Sequence, residues 1–144
     1  MKRAIETEEA PAAVGAYSQA TTDGSLAFTA GQIPLTPDGE SLADAPIEEQ
    51  TRQCLENVAA VLKAADAELS EALKITVYLA DIDEYGAMNE AYTDFFDDEP
   101  PARSALEAGS LPKGAGVEIE AIAATDADAA DTGVAGTEGG AADE

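Results

Sequence analysis

Apolar residues alternate with polar ones in several short segments of the chain, which is the pattern of half-buried β-strands. The clearest case is residues 74–80, where every second position is Ile, Val or Leu. Two shorter segments, 17–20 and 26–30, flank an Asp-Gly pair, so together they predict a β-hairpin. A last alternating segment, 117–124, predicts one further strand.

A helical period replaces this alternation in two segments. The first helix is predicted to begin at Ile47, directly after Pro46, with two glutamates in its first turn. Its apolar or small positions share one face: 47, 51, 54, 55, 58, 62 and 65. A second helix is predicted after Asp81 or Asp83, either of which can cap its first turn. Its apolar face is formed by Tyr85, Met88, Tyr92, Phe95 and Phe96.

The order of these elements predicts the fold class and the domain boundary. Residues 34–46 hold three prolines and are predicted to be a loop, and Pro100-Pro101 starts an extended segment over 102–108. Two strands, a helix, a strand, a helix and two strands predict an α+β domain, with both helices packed on one face of a mixed sheet. We expect this domain to cover residues 1–125, and residues 126–144 to form an acidic, disordered tail.

The charge balance is strongly acidic, with 30 acids against 7 bases and a net charge of −23. Without the tail, 24 acids and 7 bases remain, a net charge of −17. A disordered acidic chain and a folded, halophilic protein are both compatible with this balance. The periodicity favours the folded protein, because disordered chains lack it. Such a surface repels nucleic acids and anionic membranes, so we expect neither as a partner.

The core available to this domain is small. The chain has 32 alanines and no Trp, which leaves few large apolar side chains to bury, so burial against a partner subunit is expected to help. One cysteine, Cys54, excludes an internal disulfide and falls on the apolar face of the first helix. We find no signal peptide and no apolar run of membrane-spanning length, and therefore expect a cytoplasmic protein.

The residue types present exclude several kinds of site. Without histidine the chain lacks His-assisted triads and Cys/His zinc sites, and no Gly-rich phosphate loop is present, so no metal is expected. Arg103 remains, as a lone base in an alanine-rich strand where an unpaired guanidinium is costly. Glu118 and Glu120 share one face of the last strand, and one of them would approach Arg103 if the two strands pair. A structural Arg–Glu pair and a substrate site both stay open.

Several sequence blocks, read together, resemble the RidA (YjgF-type) family. They occur in the family's order and spacing over residues 1 to about 125. The blocks read VGAYSQA from Val14, AGQIP from Ala30, KITVYL from Lys74, MNEAY from Met88, FF at Phe95, PARSA from Pro101, LPK from Leu111 and VEIEAIA from Val117. Any one of these blocks alone would be weak evidence.

The resemblance implies a chorismate-mutase-like α+β fold and a homotrimer with active-site clefts between subunits. It also implies a deaminase that hydrolyses reactive 2-imino and 2-enamino acids, such as those from serine and threonine dehydratases, to 2-oxo acids and ammonia. No cofactor is implied. The alternative is a non-enzymatic, trimeric protein that binds a small ligand or acts like a chaperone.

The resemblance also implies roles for five residues. Arg103 would bind the substrate carboxylate with both arms of its guanidinium group. Glu118 would position the attacking water. Tyr17, Gly31 and Asn89 would shape the substrate-binding cleft, with the backbone of Gly31 close to the substrate.

Three residues of these blocks depart from the family pattern, and one of them is Ala16, which replaces a usual proline. Ala30 replaces a common serine, which puts one substrate contact in doubt. Ala105 replaces a cysteine that many members carry, which removes any mechanism based on a thiol but leaves attack by water unaffected.

Dependence of stability on salt tests the halophilic interpretation. Because mutual repulsion of the carboxylates is screened to within roughly 3 Å at 1 M salt, we expect the midpoint of thermal unfolding to be higher in molar salt than in dilute buffer. Circular dichroism melts at both salt concentrations measure it. Equal midpoints would contradict the interpretation.

Overall fold

The structure, a computed structural model, describes residues 1–126. They form one sheet of six strands in the order β1-β2-β3-β6-β4-β5, in which only β4 and β5 are parallel. The predicted tail lies outside the described residues, apart from Asp126. The elements are β1 (Arg3–Ile5), β2 (Ala20–Thr22), β3 (Leu26–Thr29), α1 (Ile47–Ala64), β4 (Ala67–Leu79), α2 (Tyr85–Thr93), β5 (Ala102–Glu107) and β6 (Val117–Thr125).

Both helices and the buried side of the sheet form one core. Leu55, Val58 and Leu62 of α1 pack with Ile75 of β4 and Ile119 of β6, and all of them are fully buried. Met88 and Tyr92 of α2 join the same cluster. The prediction of an α+β domain with two helices on one face of a mixed sheet is therefore confirmed.

Two strand boundaries differ from the prediction, and one further strand was not predicted. Strand β4 begins at Ala67 rather than near residue 74, because two register shifts before Lys74 interrupt its alternation. Strand β2 covers Ala20–Thr22 and shares only Ala20 with the predicted segment. The three-residue strand β1 is too short to carry a periodic signal, so the sequence does not predict it.

Two buried amides on α1 hold the loops on either side of the candidate site. The Gln50 amide donates to the carbonyls of Ala43 and Ala45, at 3.1 and 2.8 Å, and accepts from the Gly116 N–H at 2.9 Å. The Asn57 amide donates to the Leu35 carbonyl at 2.8 Å. Helix α1 thus positions both the loop that follows β3 and the start of β6.

The other face of the sheet carries half-buried polar side chains and is not covered by a helix. Lys74, Thr76 and Tyr78 of β4 lie on this open face, beside Glu118 and Glu120 of β6. Next to it, β5 forms the edge of the sheet. Among residues 1–126, no helix is long and apolar enough to cross a membrane.

Replacing Gln50 tests how strongly α1 holds these loops. In Gln50→Ala, two carbonyls and one N–H lose their partners, so we expect the free energy of unfolding to fall by about 2–4 kcal/mol. Gln53→Ala on the same helix removes one hydrogen bond, to the Asn57 side chain, and should cost about 1 kcal/mol or less. Urea unfolding compares the variants, and equal losses would contradict this account.

Candidate functional site

The first part of the site forms where Gly31 meets Glu118. Gln32 and Ile119 exchange two backbone hydrogen bonds, of 2.8 and 3.0 Å, which hold the segment after β3 against β6. A Cβ atom added to Gly31 would lie 2.1 Å from Glu118 Oε2. A side chain at this position would displace the Glu118 carboxylate, which lies close against the Gly31 backbone.

A cleft of about 730 Å³ opens beside this contact. Tyr17, Pro112 and Lys113 line it together with Gly31 and Glu118. The Tyr17 ring is 55% exposed, and its hydroxyl accepts a 3.3 Å hydrogen bond from the Val14 N–H. Three of the predicted residues thus share one cleft: Tyr17, Gly31 and Glu118.

The carboxyl group of Glu118 holds its proton more firmly than an exposed glutamate does. The side chain is half-buried, and this loss of hydration is the main cause that raises its pKa. The negative charge of Glu120, two residues along the same face of β6, raises the pKa further. Glu118 is therefore a stronger base than a free carboxylate, which suits it to accept a proton from water.

The second part of the site surrounds Arg103 on β5, beneath α2. Arg103 Nη1 donates a 2.8 Å hydrogen bond to Asn89 Oδ1, and Nη2 donates to the Tyr85 hydroxyl. The guanidinium carbon lies 4.6 Å from the ring centroid of Tyr92 and 5.4 Å from that of Tyr85. All these partners are neutral, and Arg103 makes no ion pair with a carboxylate anywhere in residues 1–126. The guanidinium is oriented, but its charge is not neutralised.

The two parts are separated within one chain. Strand β4 lies between β5 and β6, so about 10 Å separates the two outer strands. In the strand register, Arg103 lies opposite Ile75 and Glu118 lies opposite Tyr78. Because Ile75 and Tyr78 are three positions apart on β4, the side chains of Arg103 and Glu118 point to opposite faces of the sheet. The condition under which a β6 carboxylate would approach Arg103, pairing of the last strand with the Arg103 strand, is not met, because β5 pairs in parallel with β4 alone.

The structural alternative for Arg103 is also excluded within the described chain. Neither carboxylate of β6 reaches the guanidinium, and Glu120 instead accepts a 3.2 Å hydrogen bond from the Tyr78 hydroxyl. Asn89, predicted to shape the substrate cleft, contacts Arg103 and lies with it rather than with Tyr17 and Gly31.

Tyr85 and Tyr92 are residues of the site that the sequence analysis assigned only to the apolar face of a helix. Positions 85, 89 and 92 follow one another at helical spacing, so their side chains lie on one side of α2. Two tyrosines and an asparagine at this spacing, with a lone arginine nearby, were the available signal. Burial raises the pKa of Tyr92, and the positive charge of Arg103 partly opposes this rise.

Cys54 plays no part in either cluster. Its side chain is fully buried, and its thiol lies 3.7 Å from the Val117 carbonyl. Burial raises its pKa well above the ordinary value, and the charge of Glu118 adds to this effect. The interpretation of Cys54 as a core residue is confirmed.

In the described part of the chain, no group of three acids or thiols is arranged to hold a metal ion.

Comparison with known proteins identifies the family. A family model described as Endoribonuclease L-PSP matches residues 7–125. A RutC family protein of Pyrococcus horikoshii is 47% identical over 123 residues, which are 85% of this chain and 98% of that protein. The 2-iminobutanoate/2-iminopropanoate deaminase of Rattus norvegicus is 42% identical over 123 residues, 85% of this chain and 90% of the deaminase.

A solved structure extends the similarity to three dimensions. The crystal structure of Escherichia coli TdcF with bound serine superimposes with a TM-score of 0.81 at 41% identity, covering 86% of this chain and 99% of that one. The chorismate-mutase-like, YjgF-type fold expected from the sequence is confirmed. With the family model spanning the domain and relatives above 40% identity, the chain belongs to the RidA (YjgF-type) family.

Proposed function

We propose that this protein is a deaminase that hydrolyses 2-imino acids, and their 2-enamino tautomers, to 2-oxo acids and ammonia. The observation that carries the proposal is Arg103, a guanidinium held in place by neutral groups and left without a carboxylate partner in residues 1–126. Such a group is prepared to bind an external anion. The relative of Rattus norvegicus named as a deaminase supports the same reaction.

Arg103 supplies the carboxylate-binding group of this reaction. Asn89 and Tyr85 occupy one N–H on each terminal nitrogen, and the remaining N–H groups are available to the two oxygens of a substrate carboxylate. The Tyr92 ring stacks on the Arg103 guanidinium and fixes the orientation of the guanidinium plane. The substrate is therefore oriented by a group that does not itself react.

Glu118 supplies the proton transfers. Water adds to C2 of the protonated imine while Glu118 accepts one of its protons, which gives a carbinolamine. The proton then passes to the amino group, and the C–N bond breaks as the hydroxyl group becomes the carbonyl and gives its proton to Glu118. The 2-oxo acid and ammonia leave, and the ammonia takes up this proton as ammonium. Iminium ion plus water thus equals 2-oxo acid plus ammonium, and no cofactor enters the balance. Tyr17 and the Gly31 backbone form the wall on which the substrate lies.

The active unit in this proposal is a homotrimer. Arg103 and Glu118 lie on opposite faces of one sheet, so neither can reach a substrate held by the other within a single chain. A cyclic arrangement, in which the Arg103 cluster of one subunit meets the Glu118 cleft of the next, brings them together in three equivalent clefts. The half-buried open face and Leu106, 42% exposed on the edge strand, gain burial in such an assembly.

Nucleic acid is a poor substrate for this chain, although the matching family model carries the description of an endoribonuclease. A net charge of −23 repels a polyanion, and the described clefts show no cluster of bases for a phosphate backbone. The cytoplasmic location and the adaptation to high salt stay predictions from the sequence.

Substitution of Arg103 tests the reaction and the role of the guanidinium together. With 2-iminopropionate generated in situ by an amino-acid oxidase in molar salt, we expect Arg103→Ala to lose about 100-fold or more in kcat/KM, because the carboxylate loses its charged partner. Arg103→Lys should be intermediate, since a lysine keeps the charge without the fork. The matched control Arg52→Ala removes an exposed arginine from α1 and should keep the wild-type rate.

The outcome for wild type separates the two functions. If the folded, trimeric wild-type protein does not accelerate loss of the imine, the deaminase proposal falls and the ligand-binding alternative takes its place. If Arg103→Ala keeps the wild-type rate, Arg103 does not bind the substrate.

Mixed trimers test whether each cleft is shared between subunits. Arg103→Ala and Glu118→Gln subunits, each inactive alone, are co-expressed with different affinity tags, and the mixed trimers are isolated on both tags in turn. In a cyclic trimer of either composition one cleft receives an intact Arg103 and an intact Glu118, so we expect about one third of the wild-type rate. Inactive mixed trimers would show that the two residues do not meet between subunits.

A further inference from the structure

A second carboxylate lies on the same face as Glu118 and is held by a hydroxyl group from the neighbouring strand. In the strand register Tyr78 of β4 lies directly opposite Glu118 of β6. Its hydroxyl nevertheless donates a 3.2 Å hydrogen bond to Oε2 of Glu120, two residues further along β6. We propose that Glu120, oriented by Tyr78, is a positioning residue that controls the protonation of Glu118. This inference rests on the proposed function, in which Glu118 carries the proton.

The Tyr78 hydroxyl is suited to act as a permanent donor. Burial raises its pKa above the ordinary value, and the charge of Glu120 raises it further. The phenol therefore stays protonated throughout the neutral range and donates to a carboxylate rather than competing with it. Because this bond joins neighbouring strands, it fixes the position of the Glu120 carboxylate, which lies two residues from Glu118 on the same face of β6.

Among the groups of the sheet around Glu118, Glu120 is the main charge that acts on the Glu118 carboxyl group. On the β3 side the neighbouring segment contributes Thr29 and Gly31, which carry no charge. On the β4 side Lys74 lies opposite Ile122, and it forms no ion pair with either glutamate in the described chain.

The cleft beside Glu118 adds three further titratable groups, from the loops that line it: Tyr17, Asp38 and Lys113. Of all these neighbours, the charge of Glu120 is the one that raises the pKa of Glu118, in addition to burial.

This arrangement has a chemical consequence for the reaction. A neighbouring negative charge makes Glu118 a stronger base, so that it takes up a proton of the attacking water more readily. Without Glu120, the carboxylate would still bind water, but it would take up the proton of that water less readily. Glu120 thus affects the rate through Glu118 without touching the substrate.

The pH dependence of kcat/KM tests the inference directly. In Glu120→Gln the like charge is gone, the pKa of Glu118 falls, and the limb of the profile that reports Glu118 should move down by about one pH unit. Tyr78→Phe should move it in the same direction by less, because the released Glu120 carboxylate turns away from the like charge. Glu71→Gln removes the same charge from an exposed position about 23 Å along β4, and its profile should match wild type.

A titration that needs no turnover separates this inference from the proposed function. The carboxyl carbon of Glu118, followed by ¹³C NMR, should titrate about one pH unit lower in Glu120→Gln than in wild type or Glu71→Gln. If the shift occurs but wild type has no deaminase activity, only the proposed function falls. If Glu118 titrates identically in all three proteins, the inference is wrong, whatever the activity. Light scattering checks that each variant keeps its oligomeric state.

Discussion

Strand β4 is hydrogen-bonded along both edges, to β6 in antiparallel and to β5 in parallel orientation, and the other features of the molecule follow from this pairing. Its buried side chains join the helices to the sheet. On its other face, the Tyr78 hydroxyl donates a hydrogen bond to a carboxylate of β6. Because β4 lies between β5 and β6, Arg103 and Glu118 lie on opposite faces of the sheet, and each has its own surroundings.

The surroundings of Arg103 show how a very acidic chain keeps one positive charge available. With 24 acids in residues 1–125, a nearby carboxylate would readily neutralise a guanidinium. Two tyrosines and the Asn89 amide instead satisfy its hydrogen bonds and stack on its plane without cancelling its charge. The desolvation cost is reduced by neutral partners, and the attraction for an external carboxylate is retained.

The surroundings of Glu118 use the opposite strategy, since they make a carboxylate less acidic. Partial burial and a like charge from Glu120 act in the same direction on its pKa. The close approach of Gly31 leaves no room for a side chain between the carboxylate and the backbone. One cluster therefore holds an oriented cation, and the other holds a carboxylate whose pKa is raised.

The periodicity of the sequence determined α1 and β3, the extended segment that became β5, and the shared face of Glu118 and Glu120, because these features depend on residues adjacent in the chain. Residue types alone singled out Arg103 and Glu118, and the family blocks added Tyr17, Gly31 and Asn89 and the roles of all five. Only the tertiary structure decided the strand order, and with it the separation of Arg103 from Glu118 and the roles of Tyr78 and Tyr85. Local sequence does not distinguish strands with similar alternation as pairing partners. Which of them pair depends on non-local hydrogen bonding and on how the whole core packs.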